Sequence, residues 1–552
     1  MNTDEHRWNA RARLICVYLC SSVVPLICGC QDFGAGGTGE LVVPKQVLRQ
    51  VEPMDESRVV TTRASTEPST RPASTQPTQV PLSIERVREL ALANNLDLKV
   101  QRLEPTIFHQ RLGAEEAAFE AVFTTDVNYA VLDQPTSTQL NGSQVKDLRV
   151  TPGVRLPLRT GGTIDFTVPM ERFETNNQFS TLNPAYTSDA LVSLTQPLLR
   201  NFGPDATASG IRVAFYQYQE SQARTKLEMI RVLADADRAY WRLYAAREIL
   251  KVRKQEYDLG DAQLERARRQ ARAGVIAEVD VVRAESGVAD RLEAIILAEN
   301  VVRDRERELK RILNDTELPL DASTVVLPTS EPRGLAWQLD ANALVDRAMA
   351  GRMELLEQEL RIAEEEANVA FAKNQMLPLL TLSYQYGVNG LGGSFDDSFA
   401  MVRRADFQDH RVGLQLEIPI GNEAARSRLR AALASRLQQL ATKEQRALTI
   451  RQEVYTAVDE LEANWQRYLA ARKRVVLAAR VLDVEIRQFN QGLRTSTDVL
   501  DAQTRLANAR SDEIAALTDH QIAQVDIAFA TGTVLGAAHV DWQPAPAPPV
   551  RW

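Results

Sequence analysis

Apolar residues in the middle of this chain recur at heptad-like spacing. Leu227, Ile230, Leu233, Tyr240, Leu243 and Leu250 form one stripe, and charged residues fill the other faces. That pattern belongs to helices packed side by side as in a coiled coil, not to a lone surface helix. The run from Ile211 to Leu259 holds no glycine or proline over forty-nine residues. A longer run, Asn422 to Gln491, holds none over seventy and is bounded by Gly421 and Gly492. As one continuous helix it would reach about 105 Å. Strand-like alternation precedes each long helix. The first half carries FTTDVNYAVL, LRVTPGVRLPL, TIDFTVPM and ALVSLTQPLL; the second carries LLTLSYQYGV and DHRVGLQLEIPI. Gly161-Gly162 lies between two of the first-half runs and suits a tight hairpin turn, because glycine accepts positive φ without steric penalty.

The two halves read as an internal repeat. Leu194-Thr195-Gln196-Pro197 matches Leu416-Glu417-Ile418-Pro419, each ending a strand before a long helix. GVIAEVDVVRAES from Gly274 matches GLRTSTDVLDAQT from Gly492, with Asp280 and Asp498 each six residues after the glycine. Asn95-Leu96-Asp97-Leu98 matches Arg352-Met353-Glu354-Leu355. The offset is 222 for the prolines and 218 for the glycines, so the intervening helices are nearly equal in length. The expected organisation is a leader at 1–30, a linker at 31–81, strand-helix repeats at 82–320 and 335–533, and a Pro-rich tail at 534–552.

Composition narrows the function classes. The 552 residues carry a net charge of -8, with no clustered basic excess of the kind nucleic acid requires. At 44% hydrophobic, the chain is too polar for a bundle of membrane-spanning helices. All four cysteines, Cys16, Cys20, Cys28 and Cys30, fall in the first thirty residues. The rest of the chain therefore offers no thiol for a disulfide, a metal or a nucleophile. The five histidines are scattered. No Ser/His/Asp grouping, phosphate loop or metal spacing points to an enzyme, and no cofactor is expected.

Arg7, Arg11 and Arg13 precede an apolar stretch from Leu14 to Ile27, which contains Pro25. That is a targeting segment, too short to span a bilayer as a helix. It ends Ile27-Cys28-Gly29-Cys30, which resembles a bacterial lipobox and makes Cys30 the expected lipidated residue, with Gln31 after it resembling the outer-membrane sorting pattern. An ordinary signal peptide is the alternative; either way the protein leaves the cytoplasm. A Ser/Thr/Pro-rich stretch follows, roughly 34 to 81, and reads as a flexible tether.

LSIERVRELALANNLDL at Leu82, SLTQPLLRNFG at Ser193 and the two glycine-led motifs resemble the TolC-like outer-membrane efflux proteins. The resemblance runs from about Leu82 to Thr533, and GLRTSTDVLDAQ carries most of its specificity. It implies a mixed α and β membrane protein: a homotrimer whose strands close one outer-membrane β-barrel, continued by a long α-helical periplasmic tunnel. It also implies a periplasmic adaptor and an inner-membrane pump as partners, with outer-membrane lipid around the barrel. The family pattern has two strands per half, hence twelve in the barrel. Six per protomer would make eighteen. The expectation is twelve, with the extra hairpin outside the membrane.

Gly274 and Gly492 read as the turns of two helical hairpins. Ser496 or Thr497 could cap the helix after Gly492, with Asp498 in its first turn beside the positive helix end. The resemblance also places Asp498 and Asp501 at a constricted periplasmic gate, where three protomers would bring six carboxylates together. Arg494 and Asp280 resemble positions that latch neighbouring hairpins shut, and Phe489 stands where a tyrosine is expected. The other reading of Arg494 is a solvated turn residue. Trp241 with Tyr244, and Trp465 with Tyr468, read as packing or belt residues. A periplasmic coiled-coil adaptor or scaffold is the rival reading of the whole chain; it leaves the strand pairs and the repeat without a purpose.

Overall fold

The computed structural model describes residues 79–136, 142–320 and 324–540. Cys30, the leader and almost all of the linker lie outside them. Among the described residues no helix is long and apolar enough to cross a membrane.

The first half opens with strand β1 (Gln79–Leu82) and helices α1 (Ile84–Asn94), α2 (Leu96–Gln101) and α3 (Leu103–Glu116). Strands β2 (Val122–Asp133), β3 (Gln144–Pro157), β4 (Thr163–Thr167), β5 (Met170–Thr175) and β6 (Ala185–Pro197) follow. A short α4 (Pro204–Thr207) leads into α5 (Ser209–Arg272), and α6 (Glu278–Leu313) returns antiparallel to it. The second half repeats the plan after β7 (Val325–Pro328): α7 (Ala341–Gly351), α8 (Met353–Asn374), β8 (Leu379–Gly392), α9 (Phe395–Arg404), β9 (Phe407–Glu417), α10 (Glu423–Asn490), α11 (Ser496–Ala530) and α12 (Val534–Ala537). The breaker-free runs are the two long helices, 64 residues in α5 and 68 in α10. Helix α5 passes through Gly260, where the sequence run had been bounded.

The repeat is visible in backbone detail. Asn95 and Arg352 each interrupt a helix with extended ψ, at 129° and 128°, while their N–H groups still bond back to Ala91 and Ala348. Asn95 spans elements by giving its side-chain N–H to the Ile312 carbonyl at 3.0 Å. Arg352 does so by donating to the Ala530 carbonyl at 3.1 Å and pairing with Glu354 and Glu453 at 2.6 and 2.7 Å.

The core lies where β1, α1, α5, α6, β7 and α12 converge, with Val87, Leu233, Leu243, Leu309, Leu313 and Val326 fully buried. Tyr240 at its centre donates to the Leu82 carbonyl at 3.2 Å and accepts from the Ser330 N–H at 2.8 Å. Two domain boundaries shift as a result. The tether ends before Gln79, because residues 79–82 pair in parallel with Val325–Pro328. The tail begins later than 534, because Val534 and Leu535 are buried in this core. Apolar side chains spaced for burial outweigh the Pro-rich context on either side. Trp241 packs edge-on to Tyr240 and Tyr244, and Trp465 packs against Tyr468 and His520, as packing residues should.

All six strand-like runs lie in one antiparallel sheet of order β2-β3-β4-β6-β8-β9, with β5 also between β3 and β6. Strands β4 and β5 lie end to end, both paired to β3 and β6, and share one position. The break between them falls at Val168-Pro169, since proline has no N–H to give the ladder. The sheet therefore has six positions. The extra first-half hairpin is continuous with the sheet, since β2 and β3 are paired along their length, from Val122↔Arg155 to Asp133↔Gln144.

Strand parity separates the faces. Val154, Phe166, Val192, Tyr384, Val412 and Leu414 are on or near one face, traced through the paired registers. The other carries charge, including the Arg149–Glu171 and Arg155–Asp165 pairs at 3.0 and 2.6 Å. Helix α9, unforeseen from sequence, lies on the apolar face. Its Ser398 hydroxyl is 2.8 Å from that of Ser188, and Phe395 meets Tyr186 edge-on at 4.6 Å. Gly390 makes the seat: a Cβ there would come within 2.1 Å of the Ser398 carbonyl oxygen.

Candidate functional site at the helical hairpin tips

Each long helix ends in the same way. Gly274 and Gly492 adopt φ of +74° and +78°, a conformation that costs any residue with a Cβ. Gly274 N–H donates to Ala271 and Val275 N–H to Gln270; Gly492 and Leu493 repeat this with Phe489 and Gln488. These paired bonds close the last carbonyls of a helix in a Schellman turn. A contact between the residue after the glycine and the preceding turn often accompanies it, yet here Val275 and Leu493 are 69% and 71% exposed. The tips thus present apolar side chains to solvent.

The return helices start differently. Helix α11 is capped by Thr495, not by Ser496 or Thr497, because the extended backbone needed at a cap falls at Thr495 (φ -88°, ψ 162°). Asp498 N–H donates to the Thr495 hydroxyl oxygen at 3.3 Å. The Thr495 N–H and hydroxyl donate back to one Asp498 carboxylate oxygen, at 2.9 and 2.8 Å. This is a reciprocal capping box. The Thr495 N–H, then its hydroxyl, hold the Asp498 carboxyl below its usual range. Asp501 is exposed one turn further on. The structure thus gives Asp498 the capping role, as the N3 residue of a capping box and not merely as a charge in the first turn.

In the first hairpin the equivalent cap is Ala277, which offers no side-chain acceptor. Asp280 faces Arg283 of its own helix at 3.5 Å. Arg494 donates to the Gln488 side chain at 3.1 Å and stands 3.4 Å from Glu485. Asp280 and Arg494 are thus held within their own hairpins in one protomer and are not paired with each other. Phe489 is half-buried beside the turn.

Behind the acidic pair the hairpins pack through Leu264, Ala267, Ala284 and Leu500. Gln263 donates to the Ser496 hydroxyl across them at 3.1 Å. The sequence held one signal for the missed cap, a Thr-x-x-Asp at 495–498.

With this geometry in view, the repeat has a known counterpart. The sequence profile of the outer membrane efflux proteins matches residues 163–315 and 344–533, one segment per half. The chain belongs to the outer membrane efflux protein family. It is 25% identical to the outer membrane protein TolC of Vibrio cholerae over 305 residues, 54% of this chain and 66% of that protein. It is 27% identical to the pyoverdine export outer membrane protein OpmQ of Pseudomonas putida over 332 residues, 58% of this chain and 63% of the relative. The matched part thus spans just under two thirds of these relatives.

Among solved structures, the CmeC outer membrane channel of Campylobacter jejuni superposes with a TM-score of 0.59 at 15% identity, covering 82% of this chain and 85% of its own. The outer membrane protein VceC of Vibrio cholerae gives 0.60 at 13%, covering 81% and 96%. These likenesses establish the outer membrane efflux fold, and the matched segments contain both hairpin tips.

Proposed function

We propose that the protein is a trimeric outer-membrane export channel, passing what an inner-membrane pump and a periplasmic adaptor deliver. The sheet carries the reading. Its outer strands β2 and β9 have no neighbour on their far sides among the described strands. On these edges Val127, Tyr129, Val412 and Leu414 are 61–74% exposed. Open edges leave backbone groups unpaired in lipid, so such a sheet spans a bilayer only when closed. Six positions per protomer, joined β2 to β9 around a threefold axis, close a barrel of eighteen strands with apolar residues outward and charged residues inward. The exposed Leu437, Leu448 and Leu477 of α10 and Ile296 and Leu297 of α6 supply apolar surface for the same assembly below the membrane.

In this reading the tips form the periplasmic gate. Asp498 and Asp501 ring the constriction, Arg494 and Asp280 hold neighbouring hairpins closed, and Gly274 and Gly492 make the turns. Cys30 carries the lipid anchor. The protein performs no catalysis. Outer-membrane fractions are expected to yield SDS-resistant trimers that dissociate on heating and conduct in planar bilayers. A soluble, monomeric rod would refute the channel and favour a periplasmic scaffold.

A further inference from the structure

Helix α9 lies at the end of the sheet remote from the long helices, since α8 leads into β8 and β9 leads into α10. It folds back along the apolar face. Phe395 meets Tyr186, whose strand partner is Gly392. Ser398, three residues on, meets Ser188, whose partner is Gly390. A Cβ at Gly390 would also lie 2.9 Å from Val402. Strand β9 then starts with Phe407 opposite Asn389. The helix therefore descends beside β8 with Phe395, Ser398 and Val402 against the wall. Asp396 and Asp397 are exposed at its upper end, and Arg403 and Arg404 at its lower end.

Beneath the helix the same face changes character. Down to the ends of β6, β8 and β9 it carries no Asp, Glu, Lys or Arg. Tyr384 and Tyr386 come first and flank His410, with the Tyr384 hydroxyl 3.0 Å from His410 Nδ1. Tyrosine is enriched where hydrocarbon gives way to headgroups. Aliphatic residues follow, with Val412, Leu414 and Leu416 57–74% exposed. Gln408 and Glu417 of β9 are nine residues apart, about 30 Å along the strand. At a tilt of about 40° that is about 23 Å of height, against about 25 Å for the apolar band of an outer-membrane barrel.

We propose that α9 is seated in the headgroup layer of the outer leaflet, with Arg403 and Arg404 turned toward the lipid phosphates. This rests on the channel reading above, in which the apolar face is the outer wall. Four exposed charges on that wall are costly at the depth of the hydrocarbon and cost little at its boundary. The order of the charges fits as well. The basic end lies nearer the apolar band, where phosphates begin, and guanidinium groups bind phosphate through paired hydrogen bonds. The acidic end stands farther out. A neighbouring subunit does not supply the cover, because α9 lies over β6 and β8 while the open edges are β2 and β9.

The chain has no cysteine after Cys30, so single thiols report depth. Full-length trimers carrying Arg403→Cys, Asp396→Cys, Val192→Cys or Ser193→Cys take an environment-sensitive fluorophore. They are then reconstituted in phosphatidylethanolamine and phosphatidylglycerol vesicles with a nitroxide on the headgroup or deep on the acyl chain. The headgroup nitroxide should quench Arg403→Cys more than the acyl one does, and the acyl nitroxide should reach Asp396→Cys still less. Val192→Cys should show the opposite preference, and Ser193→Cys, on the charged face, should respond to neither. Stronger acyl quenching at Arg403→Cys, no quenching there, or a deeper Asp396→Cys overturns the seating of α9 while Val192→Cys still reports a barrel. If Val192→Cys is quenched by neither, the channel reading falls and this inference with it.

Discussion

Arg352→Met should be among the most damaging single changes in the helical region. Its guanidinium is 5% exposed and gives two bonds to Glu354, one to Glu453 and one to the Ala530 carbonyl. Methionine fills much of the volume but leaves Glu354, 10% exposed, as a buried carboxylate without its partner. Removing one member of a buried pair costs about 3–5 kcal/mol. Glu453 is 41% exposed and rehydrates, so the loss should fall near the lower end.

Titration offers a second readout. Burial pushes the Glu354 carboxyl up, but the Arg352 hydrogen bonds outweigh it, and the group titrates below its ordinary 4.5. Its contribution is complete above the unfolded value and is lost as pH falls from there through the lower folded one. In Arg352→Met the strongest lowering influences go while burial stays, opposed only by the Glu354 backbone hydrogen bond and the Arg446 charge, so the folded value rises and the variant should lose less stability than the parent as pH falls from neutrality. Adding Glu354→Leu should restore much of the loss. Unfolding of the variants in detergent, followed by far-ultraviolet circular dichroism from neutral pH to about 4, measures all three. A single-variant loss under about 1 kcal/mol, or a pH slope like the parent's, would refute the reasoning.

Asp498→Asn with Asp501→Asn should abolish block by trivalent cations in bilayer recordings while preserving trimers; an unchanged block removes both residues from the gate. Because Thr495 holds the Asp498 carboxyl low, that charge should persist at pH values where ordinary carboxylates begin to protonate, and it is lost only as pH falls through the lowered value. Thr495→Ala should cost about 1 kcal/mol and Thr495→Ser little, by thermal unfolding. Cys30→Ser should stop incorporation of labelled fatty acid; equal labelling of the variant would exclude lipidation there.

Much of the fold was legible because the strongest physical signals are local. Absence of glycine and proline gave the length of α10, and two glycines at corresponding places gave both hairpin turns. Alternation gave six of the seven strands of the large sheet and missed β5, which follows directly on β4 after Val168-Pro169. Non-local features were hidden. Gly260 looks like a helix breaker until Arg291, thirty-one residues away, is seen to need its missing Cβ. The short β1 and β7 strands form only through each other, across more than two hundred residues. Helix α9 rests on a seat of glycines in a neighbouring strand. At the site, the glycines and acids were readable from their spacing. The cap was misplaced by one or two residues: the Thr-x-x-Asp spacing at 495–498 pointed to Thr495, and the extended backbone there decides it. That one Asp498 carboxylate oxygen takes both the N–H and the hydroxyl of Thr495 was not visible in a linear pattern.

The two open edges of the sheet also have a genetic consequence. If β2 of each subunit is completed by β9 of the next, no copy can repair its own defect, and a damaged edge in one copy leaves a gap in the shared wall. A chain carrying a proline in the middle of β9 should therefore be dominant over the intact chain. In a cell making both in equal amounts, only about one assembly in eight would escape.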